Sequence, residues 1–257
     1  MRRLAVLASA AFALLAAACG GGGSSAVTPP PTSSQPPASP PVSVTPTPVL
    51  GEPIPIPRLP SQGVAVQVGR SVALVTVQGH QVQRLHKFNL VFVTDAPGSV
   101  VVFGGNSYYK LDVKKNQLTP ISAADAKALR SKGGGANLAS PPGSTTVPGR
   151  YVWARQSPRS STLLASYVAT CGRSFALLGS PGSTPALISG SPNSIDTGPS
   201  SQALGWTTDG HSVALVYDGG CGSAISSSDL VVYTSAGSGS TIFHTGGAAA
   251  ARMWGSA

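Results

Sequence analysis

After residue 62 one unit recurs along the chain: a turn, a Ser or Thr, then a short run of consecutive apolar residues. It appears as Gly69-Arg70-Ser71-Val72-Ala73-Leu74-Val75, Pro97-Gly98-Ser99-Val100-Val101-Val102-Phe103, Ser160-Ser161-Thr162-Leu163-Leu164-Ala165 and Asp209-Gly210-His211-Ser212-Val213-Ala214-Leu215-Val216. Short apolar runs bounded by turn formers are strands rather than helices. Because the apolar positions are consecutive and not alternate, both faces of each strand must be covered. In an all-β chain that calls for sheets stacked face to face. The 31 glycines and 23 prolines agree with many turns and little helix.

Two stretches read as complete four-strand units. One runs Tyr151-Val152-Trp153, the turn Ser157-Pro158-Arg159, Leu163 to Val168, Phe175 to Leu178, then Pro185 to Ile188. The next runs Ala203 to Trp206, the turn Thr208-Asp209-Gly210, Val213 to Tyr217, Leu230 to Tyr233, then Thr241 to Phe243. A further unit is expected at Leu90 to Thr94, Val100 to Phe103, Tyr108 to Val113 and Gln117 to Ile121, whereas the first, Val64 to Leu85, is a strand short. Trp153, Trp206 and Trp254 are spaced by 53 and 48 residues, near the repeat length of a propeller blade. Ser122 to Lys132, with Ser122 as N-cap, Asp125 three positions on and Gly133 as a stop, reads as a short helix inserted on the rim. The Gly-Pro-Ser stretch after it, to Gly149, reads as a loop.

These units resemble the blades of TolB-type β-propellers, whose repeat carries Trp, then Ser-Pro-Asp-Gly, then an apolar strand. Trp206-Thr207-Thr208-Asp209-Gly210 matches best, and Trp153 with Ser157-Pro158 keeps half of the motif. The resemblance implies an all-β, propeller-like array of about four four-stranded blades across residues 61–257. No unit carries the whole motif. A four-blade ring is small, and Met253-Trp254-Gly255 either completes the first blade or begins a fifth.

The N-terminus carries an address. Met1-Arg2-Arg3 followed by Leu4 to Ala18 has the layout of a secretory signal, and its apolar part is too short to span a bilayer, which needs about 20 residues. Leu15-Ala16-Ala17-Ala18-Cys19-Gly20 resembles the lipobox of bacterial lipoproteins, with Ala16 where leucine is usual. The resemblance implies a signal peptide over 1–18 that is removed and acylation (palmitate among the chains) at Cys19; export by the general route is expected because Arg2-Arg3 lack the rest of a twin-arginine motif. The alternative is an ordinary signal peptide with an incidental Cys19. Residues 19–60 read as a tether: Gly20 to Gly23, then proline clusters such as Pro29-Pro30-Pro31 and Pro53-Ile54-Pro55-Ile56-Pro57. Proline removes donors and fixes φ, so an extended spacer is expected, rising about 3.1 Å per residue.

Charge and chemistry narrow the function. The formal charge of +9, or +7 without Arg2 and Arg3, is scattered, with no basic helix or aromatic-interleaved stripe, so nucleic acid is not an expected partner. Membrane lipid through acylated Cys19 is the expected partner, with an envelope protein or a cell-wall polymer as a further one. Cys171 and Cys221 follow the second strand of adjacent units, so their loops should emerge on one side; a disulfide between them suits an oxidising compartment, two free thiols being the alternative.

His80, His86, His211 and His244 are isolated, so no metal or other cofactor site is expected. The loop between Asp218 and Asp229 lacks the alternating carboxylates of a calcium site. There is no GxSxG elbow, HExxH or phosphate loop, and the chain after residue 61 holds seven aspartates and no glutamate. No catalytic residue is assigned.

The reading is a non-enzymatic, extracytoplasmic, membrane-anchored lipoprotein serving as a binding or assembly platform. An extracytoplasmic propeller enzyme acting on a sugar or glycan is the alternative, and a fragment or degraded relative of a longer propeller is a third.

Overall fold

The structure is a computed structural model that describes residues 51–131, 133–134, 137–140, 148–188, 199–219, 224–234 and 237–257. The chain divides into two units, Met1–Pro46 and Thr47–Ala257. The first, with the signal segment and Cys19, lies outside the described residues.

The described part of the second unit holds one helix and seventeen strands in four antiparallel sheets. Blade 1 contains β2 (Gly63–Val68), β3 (Ser71–Thr76) and β4 (Gln81–His86). Blade 2 contains β5 (Asn89–Val91), β6 (Val101–Gly104), β7 (Ser107–Asp112) and β8 (Gln117–Ile121). Blade 3 contains β9 (Gly149–Gln156), β10 (Leu163–Ala169), β11 (Ser174–Gly179) and β12 (Ala186–Leu187). Blade 4 contains β13 (Ser200–Trp206), β14 (Ser212–Tyr217), β15 (Ser228–Tyr233) and β16 (Gly239–His244). The architecture is the all-β, propeller-like array of four blades that the repeats imply.

The consecutive apolar runs do what their pattern demands. On β3, Val72 and Leu74 enter the core shared with blade 2, while Ala73 and Val75 enter the core shared with blade 4. On β14, Val213 and Leu215 face blade 1, and Ala214 faces blade 3. On β11, Ala176 faces blade 4, and Phe175 and Leu177 lie in a further cluster with Tyr167. The sheets therefore stack in the spatial order 2, 1, 4, 3. Each large apolar side chain buried at a seam stabilises the stack by about 1.5–3 kcal/mol.

Blade 1 obtains its missing strand from the far end of the chain. The C-terminal strand β17 (Ala249–Trp254) pairs antiparallel with β2 from Ala249↔Val68 to Trp254↔Gly63, giving the order β17-β2-β3-β4. The terminal strand thus completes the first blade. Trp153, Trp206 and Trp254 lie on β9, β13 and β17, the first-position strands of blades 3, 4 and 1, and all three are buried. The indoles of two of them donate to carbonyls, Trp206 to Arg155 at 2.9 Å and Trp254 to Pro60 at 3.0 Å.

Two expectations need correction. The folded unit takes in residues assigned to the tether. Strand β1 (Ile54–Pro55) adds to β8 outside blade 2, pairing Ile54 with Leu118, and Ile56 and Leu59 are buried. Proline is tolerated there because a sheet edge does not need its missing N–H.

The helix is shorter than Ser122 to Lys132. It spans α1 (Ala123–Ala128), with Ser122 Oγ accepting from Asp125 N as its N-cap. Just after it, Arg130 turns away to a two-pronged pair with Asp95 at 2.7 and 2.9 Å, and Ser131 donates to the Pro97 carbonyl.

The stretch after the helix, expected as a loop, lies against blade 3. Gly133 lies against β9 so closely that a Cβ on it would be 2.3 Å from the Val152 carbonyl oxygen, and Leu138 packs on the outer face of blade 3.

Candidate functional site

One local device builds much of the site. Thr76 N donates to His80 O at 2.9 Å, and Gly79 N donates back to Thr76 O at 3.0 Å. The same pair of bonds recurs between Thr207 and His211, between Ala169 and Arg173, and between Thr234 and Ser238. In each loop the fourth residue is a glycine with positive φ: Gly79 at +89°, Gly172 at +81°, Gly210 at +87° and Gly237 at +84°. A left-handed residue at that point is what a three-residue hairpin loop with a bulge requires. Two of these loops share the pattern Thr-x-x-Gly-His, Thr76-Val77-Gln78-Gly79-His80 and Thr207-Thr208-Asp209-Gly210-His211. That internal likeness is visible in the sequence, yet the search for a Ser-Pro-Asp-Gly turn passes over it.

The two Thr-x-x-Gly-His loops meet at one cleft. The first joins β3 to β4 in blade 1 and the second joins β13 to β14 in blade 4. Together with Pro60, Ser61 and Gln62, which lead into β2, and with Val232 of β15, they line a cavity of about 440 Å³.

Its polar groups are held by bonds already made. The nearly buried Gln62 donates its amide to the carbonyls of Gly255 at 2.7 Å and Trp206 at 3.2 Å, tying the entry to blade 1, the end of β17 and blade 4 together. The Thr207 hydroxyl bonds to the Asp209 carboxylate and accepts from His211 N at 3.0 Å. His211 Nδ1 lies 3.4 Å from the other carboxylate oxygen. The Thr207 hydrogen bond, with smaller help from the His211 backbone and ring, holds the Asp209 carboxyl below its ordinary range against a modest desolvation. Asp209 is therefore an anion at neutral pH, and among the described residues it is the one carboxylate in the lining, which includes no Lys or Arg.

The other histidines serve elsewhere. His244 pairs with Asp229 at 2.9 Å, His86 lies 3.3 Å from Ser71 Oγ, and the His80 backbone is fixed by Thr76 Oγ1. No three His, Cys, Asp or Glu residues come together as a metal site among the described residues. Cys171 sits in the Ala169–Arg173 loop and is disulfide-bonded; its expected partner Cys221 lies outside the described residues, as does Cys19.

Sequence reasoning missed Arg252. It stands between Ala251 and Met253 on β17, 2% exposed, and its guanidinium donates to the carbonyls of Phe92 (2.6 Å), Ser99 (2.8 Å), Ala96 (3.1 Å) and Asp95 (3.3 Å). Burial pulls its pKa down, with the nearby Asp95 opposing. The signal was there to read: an arginine inside an otherwise apolar and small-residue strand must satisfy its donors somewhere.

No protein family and no curated protein matches the chain. Among solved structures, a protein of Agrobacterium tumefaciens assigned as a TolB aligns with 74% of this chain and 54% of its own, at 14% identity and a TM-score of 0.25. The chain spans about half the length of that protein, and a likeness this distant carries no argument about function.

Proposed function

We propose that the chain is an exported protein held at a bacterial membrane by an acylated Cys19, and that its four-blade body is a non-enzymatic binding or assembly platform. The observation that carries the platform is the cleft between blades 1 and 4. Its side chains are locked by Gln62, Thr207 and two matching loops, so a ligand would find them already placed, and preorganisation of this kind favours binding. The disulfide at Cys171 supports an oxidising, extracytoplasmic address. The lipobox-like segment supports the anchor, and the proline-rich stretch before residue 51 supports a spacer that holds the body away from the membrane. An envelope protein or a cell-wall polymer is the ligand class this address offers.

A glycan-directed enzyme is the second reading, favoured by the contact of Asp209 with His211 inside the cleft. Glycosidase chemistry uses two carboxylates facing one bond, and Asp209 is one. The Asp209→Asn protein separates the two readings, because an enzyme loses turnover while a platform loses only affinity.

Intact-mass spectrometry of the membrane-extracted protein, with and without reduction, tests the address. A species beginning at acylated Cys19 and gaining two hydrogens on reduction supports it. An unacylated product cleaved elsewhere overturns it.

A further inference from the structure

We infer that the cleft between the two Thr-x-x-Gly-His loops takes the neutral, hydroxyl-rich unit of a glycan. This rests on the platform reading and names its ligand class.

Charge narrows the choice first. Among the described residues the lining has no Lys or Arg and its one carboxylate is the anionic Asp209; Arg159 stands outside the lining and spends its Nε on the Thr208 carbonyl at 3.5 Å, so a phosphate, a uronate or an acidic peptide entering the cleft meets the Asp209 charge first. A cationic ligand meets the opposite difficulty: apart from Arg2 and Arg3 the chain carries a formal +7, and His211 already lies against the Asp209 carboxylate. A neutral polar ligand avoids both.

The donor and acceptor set then points to hydroxyls. Gln78, Thr208, Ser61 and His211 each offer both a donor and an acceptor, as hydroxyl groups do in return. Gln62 spends its amide hydrogens on Trp206 and Gly255, which leaves its oxygen as an acceptor. Asp209 has its first oxygen engaged by Thr207 and the His211 N–H and its second only by the longer contact at 3.4 Å, so that second oxygen can accept a charge-assisted bond from a ligand hydroxyl. Val77, Pro60 and Val232 supply the apolar wall on which the C–H face of a sugar ring can rest. A cavity of about 440 Å³ lies in the usual small-molecule range of roughly 300–1,000 Å³.

The test uses the full processed protein on a printed glycan array carrying neutral, uronate-bearing and amine-bearing oligosaccharides, followed by calorimetric titration with the soluble form of the strongest neutral hit. The expected result is capture of neutral glycans. Asp209→Asn and the cleft-filling Val77→Trp should each weaken that binding about tenfold or more, while Lys114→Ala, on a distant turn, leaves it unchanged. Melting curves accompany each variant, and Val77→Trp answers the question if Asp209→Asn disturbs its own loop. Capture of charged glycans alone, neutral binding insensitive to both cleft variants, or no capture by a folded protein each overturns the inference. If sugars fail while an envelope protein co-purifies with the acylated chain, the platform stands and the glycan falls; an unacylated chain removes the platform reading itself.

Discussion

The Arg252 guanidinium, on the last strand of the chain, donates to the Ser99 carbonyl at 2.8 Å, joining residues 153 positions apart. With Phe92, Asp95 and Ala96 it gathers the whole β5–β6 connection around one buried cation. Arg252→Leu would leave several carbonyls without donors in a dry interior, and each such group is costly. Denaturant unfolding should show a loss of about 3 kcal/mol or more. Arg252→Lys should recover only part of it, because a single ammonium cannot fan out to four carbonyls as a guanidinium does.

Deleting residues 249–257 should be worse than any point change. It removes β17, opens the edge of β2 and strips Ala251, Met253 and Trp254 from two cores. We expect the cooperative thermal transition to vanish from circular dichroism and the protein to aggregate through the exposed edge. A synthetic peptide of residues 248–257 added during refolding should restore the transition.

Two glycines of like conformation should respond differently. Gly79 and Gly69 both have positive φ, but a Cβ on Gly79 would lie 2.0 Å from the Ile242 carbonyl oxygen, whereas one on Gly69 would meet nothing within 4 Å. Gly69→Ala should destabilise by about 1 kcal/mol, the ordinary expense of a left-handed alanine. Gly79→Ala should exceed it by at least about 1–2 kcal/mol, because backbone of two blades must move apart. Paired urea titrations decide it.

Asp209 makes stability depend on acid in a defined direction. Its folded pKa is depressed below 3.8, so the unfolded chain binds the proton more readily. The contribution is present above about pH 4 and disappears as pH falls through the lower folded value. Melting temperature measured from pH 5 down to pH 2 should fall more steeply for the native protein than for Asp209→Asn.

Reduction of the disulfide at Cys171 should lower stability by about 2–4 kcal/mol. If Cys221 is its partner, Cys171→Ser and Cys221→Ser should each reproduce the loss, and the double variant should add nothing further.

Residue order alone determined most of the strands, the turns that open β3, β6, β10 and β14, and the need for stacked sheets. Those depend on near neighbours: a run such as Val72-Ala73-Leu74-Val75 requires apolar cover on both faces wherever it lands. Only the tertiary structure decided which strand completes blade 1, where Arg252 sends its donors, and that loops 76–80 and 207–211 share one cleft. It also brought Ile54–Pro55 into a sheet that its prolines argued against, because proline is excluded from a strand interior but not from an edge. The physical reason is common to all four. Periodicity says which face of a strand must be buried, but the pairing of Gly63 with Trp254 is chosen by the total apolar surface and hydrogen bonding of the stacked blades, which no local pattern encodes.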